Sequence, residues 1–139
     1  MKLSIGVPAY NEENRIGRML EAYLPYFAAR YGADFEIIVA VNGSTDRTAE
    51  IVRGLQDRFS QLRAIVEPRP IGKGGAIMAG GAIATGELIG FVDADGATPP
   101  AAFDELVKNV GAAGLIIASR RLPGAVVRPR QPWKRRFVS

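Results

Sequence analysis

Short apolar runs recur along this chain, and each ends at a turn of small or polar residues. The clearest is Phe35–Val41, a near-continuous apolar stretch of the kind expected of a strand covered on both faces. The same reasoning predicts strands at residues 2–7, 35–41, 63–66, 88–92 and 115–118.

Segments with helical periodicity separate these runs. The clearest carries apolar residues at intervals of three and four from Ile16 to Phe27, with Asn11 available as its N-cap. Further helices are predicted at residues 51–59, 73–84 and 99–110. Because strand and helix alternate, we expect an α/β fold: a three-layer, Rossmann-like, mostly parallel sheet flanked by helices and joined by right-handed crossovers.

The alternation ends near Leu122, where prolines and arginines replace the periodic pattern. Residues 119–139 hold seven arginines and lysines and no acid, whereas acids outnumber bases in the rest of the chain. We therefore predict an α/β domain at 1–119 and a basic Pro/Arg-rich tail at 120–139. With Trp133, the tail suits either a solvated end or an anionic membrane surface, and the acidic body argues against a nucleic-acid partner.

Composition removes several kinds of chemistry. The chain has no cysteine and no histidine, which excludes disulfides, zinc–thiolate sites, a thiol nucleophile and an imidazole base. A general base or metal ligand must therefore be a carboxylate, a hydroxyl or the backbone. No apolar run is long enough for a membrane-spanning helix, and the short first one, soon followed by Glu12 and Glu13, does not predict a signal peptide.

Four chemically distinctive clusters each follow a predicted strand. They are Pro8-Ala9-Tyr10-Asn11-Glu12, Asn42-Gly43-Ser44-Thr45-Asp46, Gly72-Lys73-Gly74-Gly75 and Asp93-Ala94-Asp95-Gly96. The carboxyl ends of parallel strands line one crevice, where ligands bind. We therefore expect the four clusters to converge on one site. Because that site would contain two acids and a lysine among glycines, it would suit a phosphate-bearing ligand together with a divalent metal.

Asp93 and Asp95 are the candidate metal ligands. Mg²⁺ and Mn²⁺ prefer hard oxygen donors and are commonly shared with substrate phosphates. On a regular strand these two side chains would point to opposite faces, but a turn at the strand end can direct both toward one cation. The alternative is a polar turn with Asp95-Gly96 as its turn residues.

The other clusters each have a structural alternative. Gly72-Lys73-Gly74-Gly75 could bring backbone N–H groups and an ammonium to a phosphate, or could be a flexible turn into a glycine-rich helix; it has neither the Walker nor the dinucleotide-binding pattern. Asn42–Asp46 could contact a nucleoside, or form a turn that caps the next helix. Tyr10 could belong to the core, and Glu12 could favour a helix N-terminus.

Together these motifs resemble family 2 glycosyltransferases with the A-type nucleotide-sugar fold. Residues 7–13 resemble the opening motif of that family, residues 42–46 its second motif, and Asp93-Ala94-Asp95 its metal-binding Asp-x-Asp. Residues 72–76, 93–98 and 118–120 are most similar to the dolichyl-phosphate glucosyltransferase and mannosyltransferase branch. The similarity extends over essentially residues 3–139.

The resemblance implies inverting, metal-dependent transfer of a hexose from a nucleotide diphosphate sugar, of the UDP-glucose or GDP-mannose type, to a polyprenyl or dolichyl phosphate. Asp95 and Asp93 would be catalytic and hold Mg²⁺ or Mn²⁺. The enzyme would be peripheral at the cytoplasmic face of a membrane; its oligomeric state stays open, a homo-oligomer included. The implied nucleotide-binding residues are Pro8, Ala9, Tyr10, Glu12, Asn42, Gly43, Ser44, Gly72, Lys73, Asp93 and Ala94.

Two departures from the family pattern stand out. Positions 41–42 read Val-Asn where the family usually has Asp-Asp, and the chain ends at Ser139, where the acceptor region of the family continues. We therefore expect a C-terminally truncated catalytic domain whose tail begins an incomplete acceptor region. The alternatives are a nucleotide-sugar-binding fragment without turnover and a sugar-phosphate nucleotidyltransferase.

Overall fold

The computed structural model describes residues 2–118. Its sheet contains four strands, all parallel, in the order β3-β2-β1-β4. The strands are β1 (Leu3–Ala9), β2 (Phe35–Asn42), β3 (Leu62–Glu67) and β4 (Leu88–Phe91). This confirms the predicted α/β fold and four of the predicted strands.

Helices connect the strands at the positions that the periodicity predicts, with shifted ends. They are α1 (Ile16–Tyr31), α2 (Thr48–Gln56), α3 (Gly72–Ala82) and α4 (Pro100–Asn109). Asn11 does not cap α1: it has a positive φ of 50°, and the helix begins after Arg15 without a side-chain cap. The prediction was wrong because Asn11 instead bonds to a neighbouring loop.

The order of the strands reverses once along the chain. From β1 the sheet grows outward through β2 to β3, and the chain then returns to place β4 on the other side of β1. Right-handed crossovers therefore put α3 on the opposite face of the sheet from α1 and α2. The switch between β1 and β4 opens a crevice at the carboxyl ends of these two strands.

The core lies around the central strands. All eight residues of β2 are buried. On α1, Tyr23 and Phe27 stack with ring centroids 5.7 Å apart, and Phe27 also packs against Phe35 and Phe103 at 6.1 Å each. These rings anchor α1 to the sheet, and this fixes the position of the loop that joins β1 to α1.

The predicted strand at residues 115–118 is not formed. These residues have no regular structure, and the side chains of Leu115 and Ile117 are 78% and 73% exposed. A short apolar run becomes a strand only when a neighbour supplies its hydrogen bonds, and the sequence pattern cannot show whether that neighbour exists.

The chain divides into two compact units, the first running to Phe103 and the second beginning at Asp104. The predicted domain boundary and the basic tail at 120–139 lie outside the described residues, so both stay predictions. Within residues 2–118, no helix is both long and apolar enough to cross a membrane.

Candidate nucleotide-sugar site

A cleft of about 460 Å³ opens at the carboxyl ends of β1, β2 and β4 and at the start of α3. It lies in the first unit, at the crevice that the topology predicts. It brings together most of the candidate residues: Pro8, Ala9, Tyr10, Glu12, Asn42, Gly72, Lys73, Asp93, Ala94 and Asp95. All four sequence clusters therefore contribute to one cleft, as the strand-end argument predicts; the role of each residue stays a prediction.

Lys73 and Asp93 form an ion pair across the cleft. Lys73 lies in the first turn of α3, and its Nζ is 2.5 Å from Oδ1 of Asp93, which follows β4. The two side chains remain 57% and 49% exposed. Half-exposed ion pairs contribute little to stability, so a ligand can engage either charge at small cost to the fold.

Asp95 sits at the turn that leaves β4. Its Oδ1 accepts a hydrogen bond of 2.9 Å from the N–H of Ala97, which orients the carboxylate. The buried Ala94 separates it from Asp93, and both carboxylates line the cleft.

The donor set fits a divalent metal that is shared with a ligand. Within residues 2–118, no group of three or more acidic, histidine or cysteine side chains could enclose a metal alone. Asp93 and Asp95 offer hard carboxylate oxygens to the same cleft. Mg²⁺ and Mn²⁺ commonly take one or two carboxylates and complete their coordination with phosphate and water.

Asn42 occupies the end of β2, at a position where the family that the sequence resembles usually has an acid. Its side chain is almost fully buried, and its Nδ2 donates to the carbonyl of Ala9 at 3.2 Å. An aspartate could not make this bond, because an ionised carboxylate only accepts. The amide therefore ties the end of β2 to β1 while also lining the cleft.

The backbone conformation at Gly43 and its close neighbour Pro70 both require glycine at this position. Its φ is +61°, and a Cβ there would lie 2.8 Å from backbone atoms of Pro70. The lack of a side chain lets the loop that carries Pro70 close over the strand end, where Pro70 itself lines the cleft. Gly43, predicted to bind nucleotide, is not among the lining residues.

Ser44 is likewise predicted to bind nucleotide but lies outside the lining. Its Oγ accepts the N–H of Asn11 at 3.0 Å, and Asn11 Oδ1 accepts the N–H of Thr45 at 2.9 Å. These bonds join the loop after β1 to the loop after β2. Ser44 does not cap α2, whose N-cap is Arg47 without a side-chain hydrogen bond, so only the turn at Gly43 matches the structural alternative. The predicted nucleotide contact of Ser44 stays a prediction.

Asp46 and Thr48 extend the same connection. The N–H of Glu12 donates to Thr48 Oγ1 at 2.8 Å, and the N–H of Glu13 donates to Asp46 Oδ2 at 3.1 Å. Partial burial raises the pKa of Asp46, but hydrogen bonds from Thr48 and from the backbone of Glu13 outweigh it and lower the pKa. The carboxylate is therefore a fixed acceptor that holds the two loops together.

Arg15 also lines the cleft, and it is not one of the residues predicted from the sequence motifs. Its Nε lies 2.7 Å from Oε2 of Glu12, but without the alignment of a hydrogen bond. Attraction of charge therefore holds this contact. The sequence could have indicated Arg15 through its position just after the Tyr10–Glu12 cluster, because the start of α1 brings Arg15 back to the same end of β1.

Tyr10 is 57% exposed at the cleft, so it is not a core residue. An exposed aromatic ring beside a polar cleft provides a surface on which a flat ligand can stack. The cleft thus offers an aromatic face, an ammonium group and two carboxylates in one place.

Comparison with known proteins gives a consistent picture. The model of the family described as "Glycosyl transferase family 2" matches residues 4–137. The protein named dolichyl-phosphate beta-glucosyltransferase ALG5C of Trichomonas vaginalis is 39% identical over 140 residues, which cover 93% of this chain and 42% of the relative. The chain thus spans less than half the length of this curated relative.

Two solved structures share the fold at recognisable identity. The mannosyltransferase PcManGT from Pyrobaculum calidifontis, in complex with GDP-Man and Mn²⁺, superposes with a TM-score of 0.70 at 26% identity, over 81% of this chain and 33% of that one. The S. aureus protein TarS 1-349, in complex with UDP-GlcNAc, gives a TM-score of 0.54 at 29% identity, over 68% of this chain and 27% of that one.

Proposed function

The chain belongs to glycosyl transferase family 2, and from this membership we propose that it provides the nucleotide-sugar site of an enzyme that glycosylates a polyprenyl phosphate. We further propose glucose as the sugar and dolichyl or another polyprenyl phosphate as the acceptor, because the relative with 93% coverage is named a dolichyl-phosphate beta-glucosyltransferase. As the donor we propose UDP-glucose, the glucose-bearing member of the two donor types that the family resemblance implies. The observation that carries the proposal is the cleft, in which Lys73, Asp93 and Asp95 converge from distant parts of the chain.

In this proposal, different residues of the cleft contact different parts of the nucleotide sugar. Tyr10 stacks on the base, while Pro8, Ala9 and Asn42 form the floor at the strand ends. Lys73 pairs with a phosphate through its ammonium group, and the N-terminus of α3 adds its partial positive charge to the same region. Neither Gly43 nor Ser44 has a direct role in this proposal, since both serve the loop connection.

Asp95 and Asp93 would hold Mg²⁺ or Mn²⁺ against the diphosphate. When bound, the metal offsets the negative charge that develops on the diphosphate leaving group. Asp95 keeps its orientation through the bond to Ala97, and Asp93 is restrained by Lys73. When a ligand phosphate recruits Lys73, Asp93 is released to face the cleft, so donor binding and carboxylate availability are coupled.

The acceptor chemistry suits a chain without histidine. A phosphate monoester is already anionic near neutral pH, so its oxygen attacks the anomeric carbon without a strong general base. Attack on the face opposite the leaving group inverts the anomeric configuration. We also propose that the complete enzyme works at the cytoplasmic face of a membrane, where a polyprenyl phosphate is accessible.

Binding and transfer are best tested separately, because the chain spans 42% of the length of the named relative. In calorimetry, UDP-glucose should bind, more tightly with MnCl₂ than with EDTA, and GDP-mannose should bind more weakly. The same sample is then assayed for transfer to a short polyprenyl phosphate. Donor binding without transfer identifies a nucleotide-sugar-binding fragment, and no binding of either donor contradicts the proposal.

A further inference from the structure

A second cavity of about 290 Å³ lies beside the nucleotide cleft, within the first unit. It runs along the side of α1 toward the turn after β4. Arg15 and Asp95 line both cavities, so the two meet at these side chains. A group bound in the second cavity would therefore lie next to a donor bound in the first.

Two arginines bring positive charge to this cavity, which one acid, Asp95, also lines. Arg15 and Arg18 belong to the start of α1, and both line the cavity. Arg15 is paired with Glu12, but no residue among 2–118 forms a hydrogen bond or ion pair with the guanidinium of Arg18. The first turn of α1 contains no acid. Two cations at the positive end of a helix are electrostatically unfavourable, and a bound anion would reverse that.

The remaining walls are partly apolar, with Asp95, Gly96 and Thr98 as their other members. Met19, Ala22, Tyr23 and Pro100 supply the apolar part of the lining. The hydroxyl of Tyr23 donates to the carbonyl of Thr98 at 2.9 Å, which fixes the ring against the turn. A cavity that offers two guanidinium groups together with apolar side chains fits an anionic head on a hydrocarbon chain.

We propose that the second cavity binds the phosphate and first chain atoms of the acceptor, with Arg15 and Arg18 as the phosphate ligands. This inference rests on the proposed function. Arginine suits the role because its planar donors match phosphate oxygens in pairs. The shared lining by Arg15 and Asp95 then sets the acceptor phosphate beside the sugar.

The transfer step balances in this arrangement. A phosphate oxygen of the acceptor forms a bond to the anomeric carbon, and the bond from that carbon to the diphosphate oxygen breaks. The electron pair leaves with the nucleoside diphosphate, and no proton has to be removed from the attacking oxygen. Arg15 and Arg18 hold the acceptor and take no covalent part.

Arg18 provides the clean test, because it lines only the second cavity. Geranyl phosphate is titrated into the protein saturated with UDP-glucose and Mn²⁺, with wild type, Arg18→Gln and Arg53→Gln compared by calorimetry. Arg53 is an exposed arginine in the last turn of α2 and lines neither cavity, so it controls for net charge. Loss of one charge-assisted contact should weaken geranyl phosphate binding by roughly tenfold in Arg18→Gln only.

Donor affinity separates this proposal from the one on which it rests. UDP-glucose should bind wild type and Arg18→Gln within about twofold of each other. If wild type binds no UDP-glucose, the proposed function itself is wrong. If donor binding is intact but Arg18→Gln binds geranyl phosphate as wild type does, only the second site is overturned. Inorganic phosphate binding as tightly as geranyl phosphate would also overturn it, since the apolar walls would then contribute nothing.

Discussion

The two ends of the parallel sheet each carry an acid paired with a base, and the two pairs differ in what surrounds them. At the carboxyl end, Lys73 and Asp93 remain about half exposed and line a cleft. At the amino end, Glu36 and Arg63 pair at 2.7 Å with the Glu36 side chain only 5% exposed. One ion pair between a base and an acid is therefore accessible to ligands, and the other has its carboxylate buried.

The amino-end pair is enclosed by hydrogen bonds. The carboxylate of Glu36 accepts from Ser4 Oγ at 2.7 Å and from the N–H and Oγ1 of Thr85 at 2.7 and 2.8 Å, besides its bond to Arg63. Ser4 Oγ in turn accepts the N–H of Gly86 at 2.8 Å. These bonds attach the segment before β4 to the starts of β1 and β2.

The pKa of Glu36 reflects this enclosure. Burial raises it, but hydrogen bonds from Arg63, Ser4 and Thr85 outweigh burial and lower it to about 2. A carboxylate with all its acceptor positions used can neither bind a ligand nor take a proton near neutral pH. The buried charge of Glu36 is thus fully used within the fold, whereas the half-exposed charges of Lys73 and Asp93 remain accessible to a ligand.

Replacing Glu36 should have the largest effect on the fold. Glu36→Ala leaves the Ser4 and Thr85 groups without their acceptor and Arg63 without its partner. Removing one partner of a buried ion pair lowers the free energy of unfolding by roughly 3–5 kcal/mol. Because Arg63 is partly exposed, we expect a loss near the lower end of this range. The measurement is the free energy of unfolding in urea.

Glu50 supplies the matched control for that experiment. It also pairs with an arginine, Arg47, but both side chains are 69% exposed. Glu50→Ala should leave the unfolding midpoint essentially unchanged. Equal losses in the two variants would remove the distinction between the buried and the exposed pair.

Acid should produce the next largest effect, through the same carboxylate. Because the pKa of Glu36 falls from 4.5 to about 2 on folding, its contribution is present above pH 4.5 and is lost as the pH falls toward 2. At about 1.4 kcal/mol per pKa unit, wild type should lose up to roughly 3 kcal/mol over this window.

Glu36→Gln isolates that contribution from other acids. The variant cannot titrate at this position, so its stability should approach that of wild type as the pH is lowered. Urea unfolding at intervals between pH 6 and pH 2 measures the difference. A difference that stays constant over the whole range would contradict the assignment to Glu36.

The sequence predicts the carboxyl end of the sheet far better than the amino end. Parallel strands end together, so chemically distinctive residues just after each strand could be placed in one cleft before the structure was known. Glu36 gave no such signal, because it lies inside an apolar strand and its partners Ser4, Arg63 and Thr85 are single residues in unrelated segments. The register of β1 and β2 pairs Ser4 with Glu36, and β3 and the segment before β4 bring Arg63 and Thr85 to the same carboxylate.

The other incorrect or missing predictions share a cause, because each of these residues takes its structure from neighbours that are distant in sequence. Asn11 has the residue type of a helix cap, yet the loop after β2 recruits it instead. Residues 115–118 have the composition of a strand, but they have no paired neighbour among the described residues. Pro70 enters the cleft because Gly43 leaves room for it. Local pattern gives element type and order, and tertiary contact decides these details.

At the carboxyl end, Asp95→Asn should affect ligand binding and leave the fold intact. It removes one negative metal ligand while nearly preserving volume, and the amide oxygen can still accept from Ala97. We expect UDP-glucose affinity in MnCl₂ to fall roughly thirtyfold, to the value measured in EDTA. Asp57→Asn, at an exposed acid after α2, is the control. Retained Mn²⁺ dependence in Asp95→Asn would exclude Asp95 as the metal ligand.

The smallest effect, and the most direct comparison of the two ends, comes from two lysines. Lys73 lines the cleft, whereas Lys2 lies at the amino end and donates to Thr85 Oγ1. Without metal, Lys73→Ala should weaken UDP-glucose binding about tenfold, since a phosphate loses its cation and meets an unpaired Asp93. Lys2→Ala should leave affinity unchanged. Adding Asp93→Asn to Lys73→Ala should restore part of the loss by removing the repulsion, measured as UDP-glucose affinity in EDTA. If the double variant binds no better than Lys73→Ala, Asp93 does not face the phosphates, and the open pair at this end of the sheet is no more than a surface contact.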